Sequence, residues 1–200
     1  MSWLDIVIYT GIFVFAITGA FKARTYRMDI FGAVVLAFVT AYGGGTLRDL
    51  LIGIRPVSWV NDYFALAIVL ASTVITFLFK LNFRGFRHIV FYTDTLGLGL
   101  FTIAGIEKSY IYGLNSVYAV VMGVITATFG GLIADVLCSA VPSLLKRGEL
   151  YATVCLIGGA VFVTLKYFEV PHNLNFAISV FLIVGIRIYS KRKRLTLPEI

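Results

Sequence analysis

The sequence predicts an all-α polytopic membrane protein with seven transmembrane helices, arranged as a 3+3 inverted repeat plus a seventh helix. Three observations carry this. First, 60% of the 200 residues are hydrophobic and only 14% are charged, against about 45–50% and 25% in soluble domains. Mean hydropathy is +0.94. Second, apolar runs near the roughly 20 residues that a helical span needs recur along the chain. Third, the chain matches itself at a fixed offset. So few charges cannot clothe a soluble domain of this size, which excludes a soluble enzyme, a disulfide scaffold and a disordered tail.

The spans read in order as Trp3–Phe21, Ile30–Ile54, Tyr63–Phe79, Ile89–Ile106, Val117–Val141, Leu150–Phe168 and Leu174–Tyr189. The first is not read as a cleavable signal peptide, because Asp5 is its only early charge and no small-residue cleavage site follows. The runs are continuous rather than alternating, which argues against a barrel. The loops are too short to hide a soluble domain. Seven spans put the first, third and fifth loops and the C-terminus on one side. Lys22, Arg24, Arg27, Lys80, Arg84, Arg87, Lys146, Arg147, Arg187, Lys191, Arg192, Lys193 and Arg194 lie there, against Arg55, Lys108 and Lys166 opposite. The positive side faces the cytoplasm, so the N-terminus is expected outside and the C-terminus inside. Basic residues so placed set orientation and do not bind nucleic acid. The run from Ser190 to Arg194 reads as a stop-transfer signal and anionic-lipid anchor.

Sliding the chain by 86 residues aligns Thr10–Pro56 with the later half without a gap. Gly11 meets Gly97, Phe15 meets Phe101, Gly19 meets Gly105, and Lys22 meets Lys108. Gly44-Gly45 meets Gly130-Gly131, Asp49 meets Asp135, and Pro56 meets Pro142. Apolar composition does not place Gly-Gly, Lys, Asp and Pro in one register by chance. Three spans per repeat is an odd number, so the second copy inserts inverted. Residues 1–88 form the first repeat, 89–170 the second, and 171–200 the seventh helix with its basic tail. Inverted repeats place a pathway at their interface, often on interrupted helices.

Gly43-Gly44-Gly45 and Gly130-Gly131 lie near the middles of the second and fifth spans. Each glycine costs a helix interior about 1 kcal/mol relative to alanine, which implies a kink or the close approach of another backbone. Arg48, Asp49 and Asp135 are ionisable within spans, where each costs about 2.5–3.5 kcal/mol at the bilayer centre. Asp49 lies about one turn beyond its glycines and Asp135 about one turn beyond its own. The inversion thus puts one carboxylate on each side of the midplane. The counterpart of Arg48 is Ala134. These three charges sum to −1 and favour cations, or else close into a pair that holds helices together. A helix broken near Tyr42 and restarting near Thr46 would offer carbonyls to a cation and N–H groups to an anion. That arrangement suits either a hydrated cation or a zwitterion.

Thr40, Thr46, Thr126 and Thr128 are candidate lining hydroxyls, or bond back to their own helices. Lys22 and Lys108 end matched spans, where they snorkel to headgroups or gate a pathway. Cys138 and Cys155 lie in apolar runs and read as small packing residues. His88 and His172 have no second ligand at metal spacing. With no nucleophile–base set and no phosphate loop, neither an enzyme nor a resident cofactor or metal is expected.

Gly43-Gly44-Gly45-Thr46-Leu47-Arg48-Asp49, followed by Pro56-Val57-Ser58-Trp59, resembles the first half-signature of the prokaryotic TRIC family (trimeric intracellular cation channels), whose members are also called glycine transporters. Asp94 with Gly97-Leu98, Phe101 and Gly105 resembles the start of the second half. Gly130 to Asp135, Pro142 and Glu149-Leu150-Tyr151-Ala152 are similar to the remainder. Ala134 departs from the family, which often has a second arginine there. The resemblance covers roughly residues 3–190. The short single chain itself fits a prokaryotic inner membrane, and the resemblance implies a homotrimer, with a pore through each protomer between kinked second and fifth helices. It implies monovalent cations, mainly potassium, as permeants, and membrane lipid as surroundings. A carrier for glycine or another small amino acid is the alternative, and a non-transporting scaffold fits poorly with buried charges at inverted positions.

Overall fold

A computed structural model of the protein describes residues 3–78, 83–146 and 150–196. Lys80, Arg147 and Glu149 lie outside the described residues, as do the side chains of Arg84 and Arg87. Seven α-helices account for nearly all of the described chain: α1 Trp3–Thr25, α2 Ile30–Ile52, α3 Tyr63–Leu78, α4 Phe83–Ile111, α5 Ser116–Leu137, α6 Ala152–Tyr167 and α7 His172–Lys193. Five are long and apolar enough to cross a membrane, while α3 and α6 are shorter apolar helices. At 16 residues each, α3 and α6 rise about 24 Å, somewhat less than a hydrocarbon core of roughly 30 Å.

Local chemistry sets the ends. The Asp29 side chain accepts from the Gly32 N–H at 2.7 Å and starts α2, and Asn115 accepts from the Tyr118 N–H at 3.1 Å and starts α5. These caps stand at matched positions of the two repeats and satisfy helix-end donors. Gly53, at φ 85°, closes α2. The fifth helix stops at Leu137, short of the expected Val141, because Ser139 takes a left-handed conformation and a single 3-10 turn follows at Ser143–Leu145.

Helix α4 packs against α1, α5, α6 and α7, and α2 against α1, α3 and α5. The core sits where α1 meets α4. Phe15 and Phe101 meet there edge to face, with centroids 5.0 Å apart. A Cβ on Gly97 would strike the Phe15 ring, and one on Gly11 would strike the Phe101 ring. Each repeat thus supplies both the ring and the gap that receives the other ring. Such exchange of contacts is what a two-fold relation between halves produces.

The same exchange governs α2 and α5. A Cβ on Gly44 would strike the carbonyl oxygens of Thr126 and Ile125, and one on Gly130 would strike that of Thr40. Both helices are uninterrupted across their glycines. The expectation of broken helices with free ends near Tyr42 and Thr46 is therefore corrected. The glycines let two backbones touch, as small residues do between membrane helices.

Gly44→Ala and Gly130→Ala are expected to destabilise the protein by about 1–3 kcal/mol each, because a carbonyl on the facing helix cannot move aside cheaply. At Gly45 the new methyl would meet only the Arg48 Nη2 atom at 3.7 Å, so Gly45→Ala serves as the control. Unfolding in detergent micelles checks this. Equal losses at all three positions would mean that helix propensity, not the crossing, sets the cost.

Candidate functional site

The α2–α5 crossing lies between two ionic clusters. At one end, Lys22 from α1 pairs with Asp135 from α5. The other Asp135 oxygen accepts from the Ser143 N–H at 2.7 Å, in the turn after α5. At the opposite end, Asp49 of α2 accepts from Arg48 Nη2 at 2.6 Å and Nε at 2.9 Å. The second Asp49 oxygen accepts from the Ser58 N–H at 2.8 Å and from the Ser58 hydroxyl. Lys108 from α4 donates to the Ser58 hydroxyl, and its Nζ lies 4.0 Å from Asp49. The partnership again exchanges between repeats, with Lys22 on Asp135 and Lys108 on Asp49.

Neither lysine snorkels to the surface, since their side chains are only 18% and 17% exposed. The reason is electrostatic, because each faces a carboxylate that would otherwise be buried without a counter-charge. This changes the charge balance expected from Arg48, Asp49 and Asp135 alone. With both lysines included, those five groups sum to +1 when ionised. Arg48 is 6% exposed and closed on its neighbouring carboxylate, while its counterpart Ala134 is fully buried.

A cavity of about 190 Å³ opens beside the Asp49 cluster. Its walls come from the start of α1, the end of α2, the loop into α3 and the end of α4. Ala41, Gly45, Phe101, Ala104 and Thr126 carry it to the crossing, and Arg48, Asp49, Ser58 and Lys108 line one wall. Asp5, Tyr9, Tyr42, Trp59 and Asp62 complete it. Asp5 and Asp62 restore the negative balance, giving three carboxylates against two cations.

The four threonines divide. Thr40 and Thr126 each donate to the carbonyl four residues earlier, at 2.6 Å. A hydroxyl has one donor and two acceptor lone pairs, so these two oxygens have only acceptor capacity left. Thr126 lines the cavity. Thr46 also lines it, with its oxygen accepting from Trp59 Nε1 at 2.8 Å. Thr128 bonds to its own helix and is fully buried.

A third cluster joins α7 to the second repeat. Arg187 of α7 reads in the sequence as one of the basic residues that set topology, yet it is 3% exposed and bonds Asp94 at 2.9 Å, Thr95 at 3.1 Å and the Leu150 carbonyl at 3.3 Å. Its guanidinium lies 4.2 Å from the Tyr151 ring centroid, and the Tyr151 hydroxyl bonds Asp94 at 3.0 Å. Asp94 stands opposite Ile8 in the repeat register, so its charge was a signal that pointed to a partner outside the repeats. His172 lies 3.3 Å from Glu107. Cys138 and Cys155 are free and buried. Among the described residues no group of three or more His, Cys, Asp or Glu could hold a metal ion.

Comparison with known proteins adds the following. A family model described as glycine transporter matches residues 3–80 and 91–167. The UPF0126 inner membrane protein YadS of Escherichia coli is 39% identical, over 98% of this chain and 94% of that protein. The TRIC trimeric intracellular cation channel orthologue from Rhodobacter sphaeroides has a TM-score of 0.90 at 36% identity, covering 98% of this chain and 100% of that one. A prokaryotic TRIC channel solved in 0.5 M KCl has a TM-score of 0.88 at 30% identity, covering 97% of this chain and 98% of that one. Together these establish an all-helical, multi-pass membrane protein of a non-enzymatic family.

Lys22→Gln is expected to cost about 2–3 kcal/mol, because it leaves Asp135 buried without its cation, and Lys22→Gln with Asp135→Asn should recover most of that. Unfolding of the two single variants and the double variant measures the coupling. Strictly additive losses would show that the pair contributes nothing.

Proposed function

Because this chain belongs to the prokaryotic TRIC family, we propose that it is a potassium-permeable channel for monovalent cations. It works as a homotrimer in a bacterial inner membrane, with one pathway through each protomer. The reading rests above all on one observation. An open, charged cavity leads from the α1 N-terminal face to the crossing of the two glycine-bearing helices.

The pathway passes from this cavity, through the crossing, to the Lys22–Asp135 cluster. An ion entering an apolar interior must find substitutes for its water. Carboxylates attract it at the mouth, and the Thr126 and Thr40 oxygens, with only lone pairs to offer, suit a cation deeper in. Lys108 and Arg48 hold Asp49 and set how much of its charge a passing ion feels. Opening requires α2 and α5 to part where Gly44 and Gly130 now hold them together. The α1 N-terminal face is external and the face bearing Lys191, Arg192, Lys193 and Arg194 is cytoplasmic, in keeping with the basic residues there and with the inner-membrane name of the Escherichia coli relative.

The glycine-carrier alternative drew on free half-helix ends, which uninterrupted helices do not offer. Potassium flux into proteoliposomes, run beside labelled glycine uptake, tests the proposal. Non-saturating potassium flux that falls at least several-fold in Asp49→Asn, with no glycine uptake, is the expected result. Saturable glycine uptake without potassium conductance would overturn it.

A further inference from the structure

The cavity has two chemically distinct walls. Arg48 and Lys108 lie on one, clamped around Asp49. On the other, Asp62 caps α3 by accepting from the Ala65 N–H at 2.9 Å, and Tyr9 lines the cavity within electrostatic reach of the same carboxylate. Asp5 lines this side as well. Tyr42 is 6% exposed, yet its buried hydroxyl has no hydrogen-bond partner. It lies within electrostatic reach of Asp62 and Tyr9. A buried hydroxyl without a partner bears its full desolvation penalty, so something should occupy its lone pairs when the protein works.

We propose that Asp62, Tyr9 and Tyr42, with Asp5 beside them, form a binding site for one monovalent metal cation at the mouth of the pathway. The site rests on the channel reading and deepens it by naming where the ion is first held. The donors are one carboxylate and neutral phenol oxygens, a field weak enough to strip a large monovalent ion of part of its water and release it again. Strong binding would block conduction. Arg48 and Lys108 in the same cavity lining favour a single positive charge here over a divalent ion.

Trp59 reports on the site, because its ring lies 5.8 Å from that of Tyr42. In a Trp3→Phe background it is the remaining tryptophan. Its fluorescence is titrated with potassium chloride against N-methyl-D-glucamine chloride at constant ionic strength. A saturable change is expected. Asp62→Asn, which keeps the oxygen that caps α3, should weaken apparent affinity about tenfold. Tyr42→Phe should weaken it about threefold while leaving the melting temperature of the ion-free protein unchanged or higher. Fluorescence indifferent to potassium, or saturation that neither variant alters, would overturn the site even if the liposomes conduct. Saturable binding with the expected variant effects, in a protein that passes no current, would support the site and sink the channel reading instead.

Discussion

Gly44 and Gly130 bring the backbones of α2 and α5 into contact, and the centre of the molecule is organised around that approach. A side chain at either position would push the helices apart. The cavity floor at Gly45 and Thr126 would shift, and with it the positions of Asp49 and Asp135, each about one turn beyond its glycines. Because each glycine receives a carbonyl from the other repeat, the contact is made twice. Phe15 and Phe101 repeat the device one layer away, each filling the gap left by the other's glycine.

Exchange also settles the charges. A carboxylate in a span needs a counter-charge, and each repeat supplies a lysine for the other's aspartate. Two departures from symmetry then give the two faces different chemistry. Arg48 has no counterpart, since Ala134 takes its place, so the Asp49 cluster carries an extra cation and opens beside Asp5 and Asp62. Asp94 has no counterpart either, and α7 provides its partner in Arg187. The seventh helix therefore completes the electrostatics of the second repeat, besides covering α4 and α6.

Buried hydroxyls show the same economy. Thr18, Thr40, Thr95, Thr102, Ser109 and Thr126 all donate to the carbonyl four residues earlier. The helices thereby satisfy donors that lipid cannot, and any of these oxygens that meets an ion meets it as an acceptor. Tyr42, whose buried hydroxyl has no hydrogen-bond partner, is an exception.

Primary structure alone carries the membrane class, the seven helices, and the register that pairs Gly44 with Gly130 and Asp49 with Asp135. These follow from local composition and from a repeat, both of which are read along the chain. It also marked the unusual residues, because glycines and charges inside apolar runs carry a cost that some contact must offset. What offsets it depends on which groups the packed helices bring together. Glycine pairs read equally as breaks or as contact points, and the facing carbonyls of Thr40 and Thr126 make them contact points. Lys22 and Lys108 read as headgroup anchors or gates and Arg187 as a topology signal, since a flexible cationic side chain near a span end can reach either headgroups or the interior. The carboxylate waiting on another helix draws each inward, and that neighbour is 113, 59 or 93 residues away in the chain. The mouth formed by Asp5, Tyr9, Tyr42 and Asp62 was illegible for the same reason. Its members come from α1, α2 and the loop into α3, and no spacing joins them until the helices pack.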